Sequence, residues 1–423
     1  MTQKYDVIIY GATGFTGSYI VENFLKNNEN ANIAIAGRNE FRLLEVRNKF
    51  AQSKGDGKSG KILPFIVADC FDDEALDRML SHTKVVINAI GPYRLYGEQV
   101  VKAAIRNSVH YVDICGEPYF LEKMQMIYDE DAKAKGVYIV GACGWDSIIC
   151  DLGIVKMKQI FNGSLDFIET FTQINFGSEG YSINGGTYRS LILGLSNART
   201  DELGKIRRAI MPEKLPKNEF PPPKRGRMFY NDYINSWCIP FLGSDKSVVM
   251  RTQYSDYFCN KQRPVTINTY YGIQSLLNAL LLLLWFFLLD IFLRCDKLKT
   301  LIYRNPKFCS FNMFSDDGPT VKQIKETTFS YWFFGECRHD DTVDGGENRR
   351  HKKVILRCNG PDPGYQATSA CVIAASTVII KDFDLLPKGG GVLSPGYAFK
   401  NTSIFKLLKD FSISYDVIEE TFQ

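Results

Sequence analysis

The chain opens on an apolar run, YDVIIY at residues 5–10, which stops at Gly11 and is followed by the amphipathic stretch SYIVENFLKNN. An apolar block followed by a 3.6-residue repeat reads as strand then helix. The same alternation recurs. ANIAIAGR ends at Gly37-Arg38, KILPFIVADC ends at Asp69-Cys70, KVVINAIGPY ends at Asn88 to Tyr93, and a fifth block leads to Tyr111 and Asp113. Strands that are almost continuously apolar are buried on both faces, as parallel strands are. The stretch from Asp6 to about Gly153 therefore predicts a parallel α/β unit. After KGVYIVGACGWDS the grammar changes: residues 165–176 and 248–273 read as strands with few helices between, which predicts a mainly antiparallel second sheet. Residues 365–380, YQATSACVIAASTVII, return to helix, then come the glycine-rich turn LPKGGGVLSPG and a closing stretch, FKLLKDFSISYDVIEE. Three polar stretches punctuate the chain: a solvated loop at 53–61, an extended Pro/Lys-rich loop at 211–227, and a hairpin tip or disordered loop at 338–353.

The first strand runs straight into Gly11, Gly14 and Gly17, within GATGFTG. In that context Gly11 serves a tight turn, Gly14 admits phosphate close to the backbone, and Gly17 lets helix pack on strand. The amides of Thr13, Phe15 and Thr16 then open a helix whose positive end attracts the pyrophosphate of a dinucleotide. The fold class that follows is α/β: a Rossmann-type doubly wound parallel sheet, with a second α/β unit on a mainly antiparallel sheet. Its expected divisions are residues 1–150 for dinucleotide binding, 151–360 for the second unit and 361–423 for a C-terminal return onto the first. At the tip of the second strand stands Arg38, where NAD-preferring sites place a carboxylate for the ribose hydroxyls. The first carboxylate, Glu40, comes on the next turn. This favours NADP(H), with NAD as the alternative. Asp69 is expected to touch adenine, and the turn from Asn88 to Gly91 to run beneath the nicotinamide ribose.

Composition narrows the rest. A net charge of +4 from 51 Lys and Arg against 47 Asp and Glu, evenly spread, argues against nucleic acid as a partner. Eleven cysteines without a C-x-x-C argue against both a disulfide framework and a zinc ribbon, and four histidines without ligand spacing leave no metal site. Met1 to Lys4 leave no room for a signal peptide's apolar region, so a chain exposed to reducing cytosol is expected.

One segment stands apart. IQSLLNALLLLLWFFLLDIFL, residues 273–293, has an uninterrupted apolar core from Ala279 to Leu289. A bilayer span needs about 20 residues. Arg294, Lys297 and Lys299 follow it, where headgroups would lie. Three readings stay open: a buried helix of the second unit, a monotopic insertion into a membrane or lipid monolayer, and a true span. Insertion is favoured, because apolarity all round exceeds what a one-sided surface helix needs.

For catalysis, Tyr93 and Tyr96 beyond the fourth strand are the candidates nearest a reacting atom. The cluster Tyr111, Asp113, Cys115 and Glu117 lies at the carboxyl end of the fifth strand, where α/β sheets bind ligands. Asp146 and Ser147 either act on substrate or cap a helix. Tyr119 and Lys123 have a Tyr-x-x-x-Lys spacing, which recurs by chance at Tyr303 and Lys307.

The blocks GATGFTG, AGR, NAIGPYRLYGEQVVKAA, HYVDICGEP, GWDSIICDLG, NGGTYRS, PDPGYQATS and GGGVLSPG occur in the order found in saccharopine dehydrogenase-like oxidoreductases, which the chain resembles over nearly its whole length. The resemblance implies the two-unit fold, an NAD(P) cofactor, and association with lipid droplets or other membranes, on their cytoplasmic face. It also brings in bacterial relatives described as trans-acting enoyl reductases of glycolipid biosynthesis. A saccharopine-type tricarboxylate would require converging cations, for which Arg189, Arg207, Arg208 and Arg251 are the candidates. The leading expectation is an NADP(H)-dependent reductase acting at a lipid surface on a lipid-like carbonyl or enoyl substrate. The alternatives are a soluble amino-acid oxidoreductase of the saccharopine type and a non-catalytic lipid-droplet protein that keeps the nucleotide fold.

Overall fold

The computed structural model describes residues 4–27, 32–52, 63–161, 165–218, 220–337 and 352–422. The loop expected at 53–61 and most of the stretch at 338–353 lie outside the described residues. Six parallel strands come first: β1 (Tyr5–Tyr10), β2 (Ile33–Gly37), β3 (Phe65–Val67), β4 (Thr83–Asn88), β5 (His110–Asp113) and β6 (Tyr138–Val140). Helices α1 (Phe15–Asn27), α2 (Glu40–Gln52), α3 (Asp73–Leu80), α4 (Tyr93–Arg106) and α5 (Pro118–Ala134) separate them. Helix α6 (Trp145–Ile160) leads out of this unit, so the expected boundary at residue 150 falls inside a helix.

The second unit is built from β7 (Phe167–Asn175), β8 (Ile183–Asn184), α7 (Gly185–Asn197), α8 (Leu203–Ile210), β9 (Phe229–Asn231), β10 (Ser236–Pro240), α9 (Asp245–Asn260) and β11 (Thr266–Ile273). Next come α10 (Leu276–Phe292), α11 (Asp296–Arg304), α12 (Pro306–Cys309), β12 (Phe314–Ser315), α13 (Val321–Glu326), β13 (Thr328–Cys337) and β14 (Lys352–Pro361). The chain ends with a π-helical turn at Pro363–Ala367, α14 (Thr368–Lys381), β15 (Gly391–Leu393), α15 (Pro395–Phe399), α16 (Ile404–Asp410) and β16 (Ser414–Phe422).

The first sheet has the order β15-β6-β5-β4-β1-β2-β3, all parallel, and the second β16-β14-β13-β7-β11-β10-β9. In the second sheet only β7 and β11 pair in parallel, so the antiparallel expectation holds for its other neighbours. That parallel pair needs a crossover, which α7, α8 and α9 help to supply. The strand expected over 248–273 is corrected here. Residues 245–260 are helix α9, and only Thr266–Ile273 is strand. Val248, Val249, Arg251, Thr252, Gln253 and Asp256 are buried, at helical rather than alternating spacing.

Helix α14 packs on α1 and buries Cys371, Val372, Ala374, Ala375 and Val378 in the core that joins the two sheets. By length and hydropathy Pro363–Lys381 would suit a membrane, yet 72% of its most apolar window is buried inside the protein. The C-terminal segment divides between the sheets: β15 extends the first, whereas β16 edges the second. Helix α10 corrects another alternative. It is not a buried helix, because Leu277, Leu281, Leu284 and Phe287 are 65%, 52%, 51% and 62% exposed. Its opposite side sinks Trp285 and Leu289 into a small core that also holds Tyr188 and Ile192 of α7, with the Phe314 ring set between Trp285 and Tyr188.

Candidate functional site

Strand order reverses between β1 and β4, and ligands of open α/β sheets sit at the carboxyl ends of the strands there. Gly11 closes that end of β1 at φ +90°, a left-handed value that strains other residues, and its amide donates to the Ala36 carbonyl at 2.9 Å. Helix α1 comes so near the strand that a Cβ on Gly17 would lie 2.1 Å from the Gly11 oxygen. Gly14 is exposed between them, and the first amides of α1 have no intrahelical partners. This cradle fits a pyrophosphate. Thr13, Phe15 and Thr16 flank it, but the Phe15 ring faces Tyr365, 4.7 Å between centroids, and Gly318 of the second unit. Phe15 thus offers the anion its backbone while its ring ties the turn to the second unit.

Arg38 is exposed at the tip of β2 with no acid beside it on that strand, and Asn39 accepts from the Arg42 amide at 3.0 Å to start α2. Asp69 accepts from the Phe71 amide at 2.9 Å, shaping the turn after β3. Phe71 is 66% exposed, and Tyr96 meets it edge-on at 5.9 Å. The buried Asn88 holds the β4 turn by accepting from the Ile90 amide at 3.1 Å, while its Nδ2 donates to the Tyr111 hydroxyl at 3.1 Å. Gly91 is exposed at the end of that turn.

Of the two tyrosines expected nearest a reacting atom, Tyr93 is enclosed by the fold. It is buried, its hydroxyl donates to the Asn88 carbonyl at 2.8 Å and accepts from the Ile114 amide at 3.3 Å. Burial and the nearby Asp113 push its pKa well above the ordinary tyrosine value, which makes it a poor proton donor. The Tyr119–Lys123 spacing also forms no dyad: Lys123 pairs with Glu98 at 2.8 Å, and Tyr119 lies beneath the Arg94 guanidinium at 4.8 Å.

The structure adds a junction that sequence reasoning passed over. Glu117 is buried and accepts from the amides of Tyr93, at 2.8 Å, and Arg94, at 3.1 Å, closing the N-terminus of α4. It also accepts from Ser190 of α7 at 2.8 Å. Arg94 makes a two-pronged pair with Asp201 at 3.1 and 2.8 Å. Helix α7 and the turn after it therefore meet the first unit at the start of α4. The four second-unit arginines do not form one cluster, although Arg207 and Arg251 both face Glu122 of α5. Arg189 pairs with Asp316, Arg207 with Glu122 and Arg251 with Gln125, while Arg208 is exposed.

Two carboxylates are raised by burial at this end of the sheet. Asp113, fully buried, accepts from Tyr111, Cys115 and Ala142 at 2.8, 2.9 and 2.8 Å, and burial pushes it up to about 6. Those bonds use it structurally. Asp146, in the first turn of α6, lies against Gly116 and is partly accessible, and burial pushes it up to about 6 as well. Ser147 is engaged with Ser244 at 2.5 Å. Among the described polar side chains named from sequence, Asp146 combines partial access with a carboxyl raised by burial.

The family model for the saccharopine dehydrogenase NADP-binding domain matches residues 7–140. The lipid droplet localized protein of Caenorhabditis elegans is 44% identical over 99% of this chain and 99% of its own length. The saccharopine dehydrogenase-like oxidoreductase of Rattus norvegicus is 35% identical over 99% of this chain and 98% of its own. Apo saccharopine dehydrogenase (L-Glu forming) from Saccharomyces cerevisiae shares the fold at a TM-score of 0.57 and 17% identity, covering 99% of this chain and 100% of that one. The first unit is an NADP-binding domain, and the chain belongs to the saccharopine dehydrogenase-like oxidoreductases.

Proposed function

We propose that this protein is an NADP(H)-dependent oxidoreductase that works at a lipid surface on a lipid-like carbonyl or enoyl substrate. The observation that carries the reading is the placement of α10. Its exposed leucines share one face at spacings of three and four residues, and its other side shares a small core with α7, whose Ser190 reaches Glu117 at the end of the first sheet. One helix thus separates the apolar face from the chemistry. A contiguous exposed apolar face of this kind marks an interaction site. With 17 residues, α10 reaches about 25 Å, short of a straight span, which supports lying in the surface over crossing it. Phe308 within α12 and Phe311 just beyond it, 83% and 77% exposed, extend the same apolar module. Arg294, Lys297, Lys299 and Arg304 stand beside it, suited to anionic headgroups. The name of the nematode relative, a lipid droplet localized protein, agrees with this reading.

The cofactor, when bound, supplies or takes the hydride. The chain's own part is to hold the phosphates at Gly11 to Gly17, to distinguish the ribose phosphate at Arg38, and to manage one proton. We assign that proton to Asp146. Arg189, Arg207 and Arg251 are each engaged by a side chain of the protein itself, at Asp316, Glu122 and Gln125, which weighs against the soluble amino-acid reading.

The test is NADPH oxidation with enoyl and keto lipids carried in phospholipid vesicles, alongside vesicle flotation. Turnover is expected only with vesicle-borne lipid. NADPH binding without vesicle association or lipid-dependent oxidation would overturn the proposal.

A further inference from the structure

We infer that the loop between α8 and β9 is a docking segment for a protein domain that reads polyproline II helices in an aromatic groove with an acidic rim. Residues 211–228 form neither helix nor strand where described, a connection longer than the roughly 12–15 residues beyond which loops in compact domains usually carry function. At its centre stands Phe220-Pro221-Pro222-Pro223. Each proline fixes its own φ near −65°, and each residue before a proline is driven to extended backbone. Phe220, Pro221 and Pro222 all precede a proline, so covalent geometry sets one turn of polyproline II.

That turn is presented rather than packed away. Pro221, Pro223 and Lys224 are exposed, with Pro222 half-buried. The loop is fastened on both sides. Asn218 donates to the carbonyls of Asp166 and Pro264 at 2.6 and 3.1 Å and accepts from Arg263 at 3.0 Å. Arg225 pairs with Glu169 at 3.1 and 2.8 Å and stacks over Phe229 at 4.8 Å. Anchoring at both ends lowers the ordering cost a partner would otherwise meet. Charge selects the partner. With Arg225 engaged by Glu169, Lys214, Lys217, Lys224 and Arg227 stand in this loop against Glu213 and Glu219. A proline run with basic residues after it fits domains whose aromatic slot holds the prolines and whose carboxylates hold the cation.

The experiment titrates the purified full-length chain against a panel of purified WW, SH3 and EVH1 domains by biolayer interferometry. At least one domain is expected to bind, at least tenfold more weakly to P222A/P223A and to K224E, and more weakly as salt rises. NADPH titration of the same variants should be unchanged, since the segment lies outside the cofactor crevice, and this serves as the check that they fold. If no domain binds the wild-type chain better than P222A/P223A, the inference is overturned. The readout uses neither lipid nor turnover, so its failure is separate from failure of the lipid-surface reading.

Discussion

Arg38 and Asp146 are the two side chains whose chemistry the mechanism asks most of. A guanidinium that meets the ribose phosphate contributes a charge-assisted hydrogen bond, about 1.5–3 kcal/mol. Arg38→Ala should therefore weaken NADPH binding by about 10- to 100-fold while leaving NADH binding almost unchanged, as fluorescence titration would read. Asp146 is protonated below about 6 and loses its proton above it. If it gives the proton in reduction, turnover falls as pH rises through that value. Asp146→Asn should remove that limb and lower kcat by about 10²- to 10⁴-fold with NADPH binding intact. A retained pH limb in the variant would assign the proton elsewhere. Asp151 offers a test of stability instead. Its carboxylate accepts from Thr252 and the Gly396 amide at 2.7 and 2.6 Å, and burial pushes it up to about 7. A carboxyl raised in the folded state favours folding at low pH and loses that contribution as pH climbs from its ordinary value through 7. Asp151→Asn should melt several degrees above the wild type at pH 8, the gap narrowing toward pH 4.

At the scale of elements, α10 illustrates how one helix serves two neighbours. Leu281 and Leu284 face outward, so charge there leaves the core that Trp285 and Leu289 share with α7 undisturbed. Leu281→Glu with Leu284→Glu should abolish vesicle flotation while the melting temperature and NADPH affinity stay within error. Loss of both folding and flotation would instead make α10 part of the core. The apolarity of residues 273–293 was legible in the sequence. Which side is covered was not, because five consecutive leucines carry no helical asymmetry, and α7, which covers one side, lies about 90 residues earlier. Helix α9 shows the converse: its buried positions are largely polar, so an apolar periodicity was missing from 245–260.

For the whole molecule, the two units are joined by buried charge as well as by core. Arg94, Asp201 and Glu117 have side chains only 10%, 12% and 7% exposed. Removing one partner of such a pair leaves an uncompensated buried charge, at a cost of about 3–5 kcal/mol. Asp201→Ala should lower the unfolding free energy by that amount, read as a lower denaturation midpoint at unchanged slope, and should loosen NADPH binding because Arg94 lies in the first turn of the helix after the β4 turn. An exposed, weak pair would shift neither.

The sequence by itself determined the strand–turn–helix around Gly11, Gly14 and Gly17, the parallel order of the first sheet's elements and the family, because these depend on local backbone geometry and on periodicities a single segment carries. The place of Arg38 at a strand tip was readable for the same reason. Tertiary structure alone decided that Tyr93 would be buried against Asn88 and Ile114, that Glu117 would close α4, that Asp146 would lie against Gly116, and that β16 would leave the first unit for the second sheet. Each of these depends on contacts between segments far apart in the chain, where burial sets the pKa and the partner sets the role.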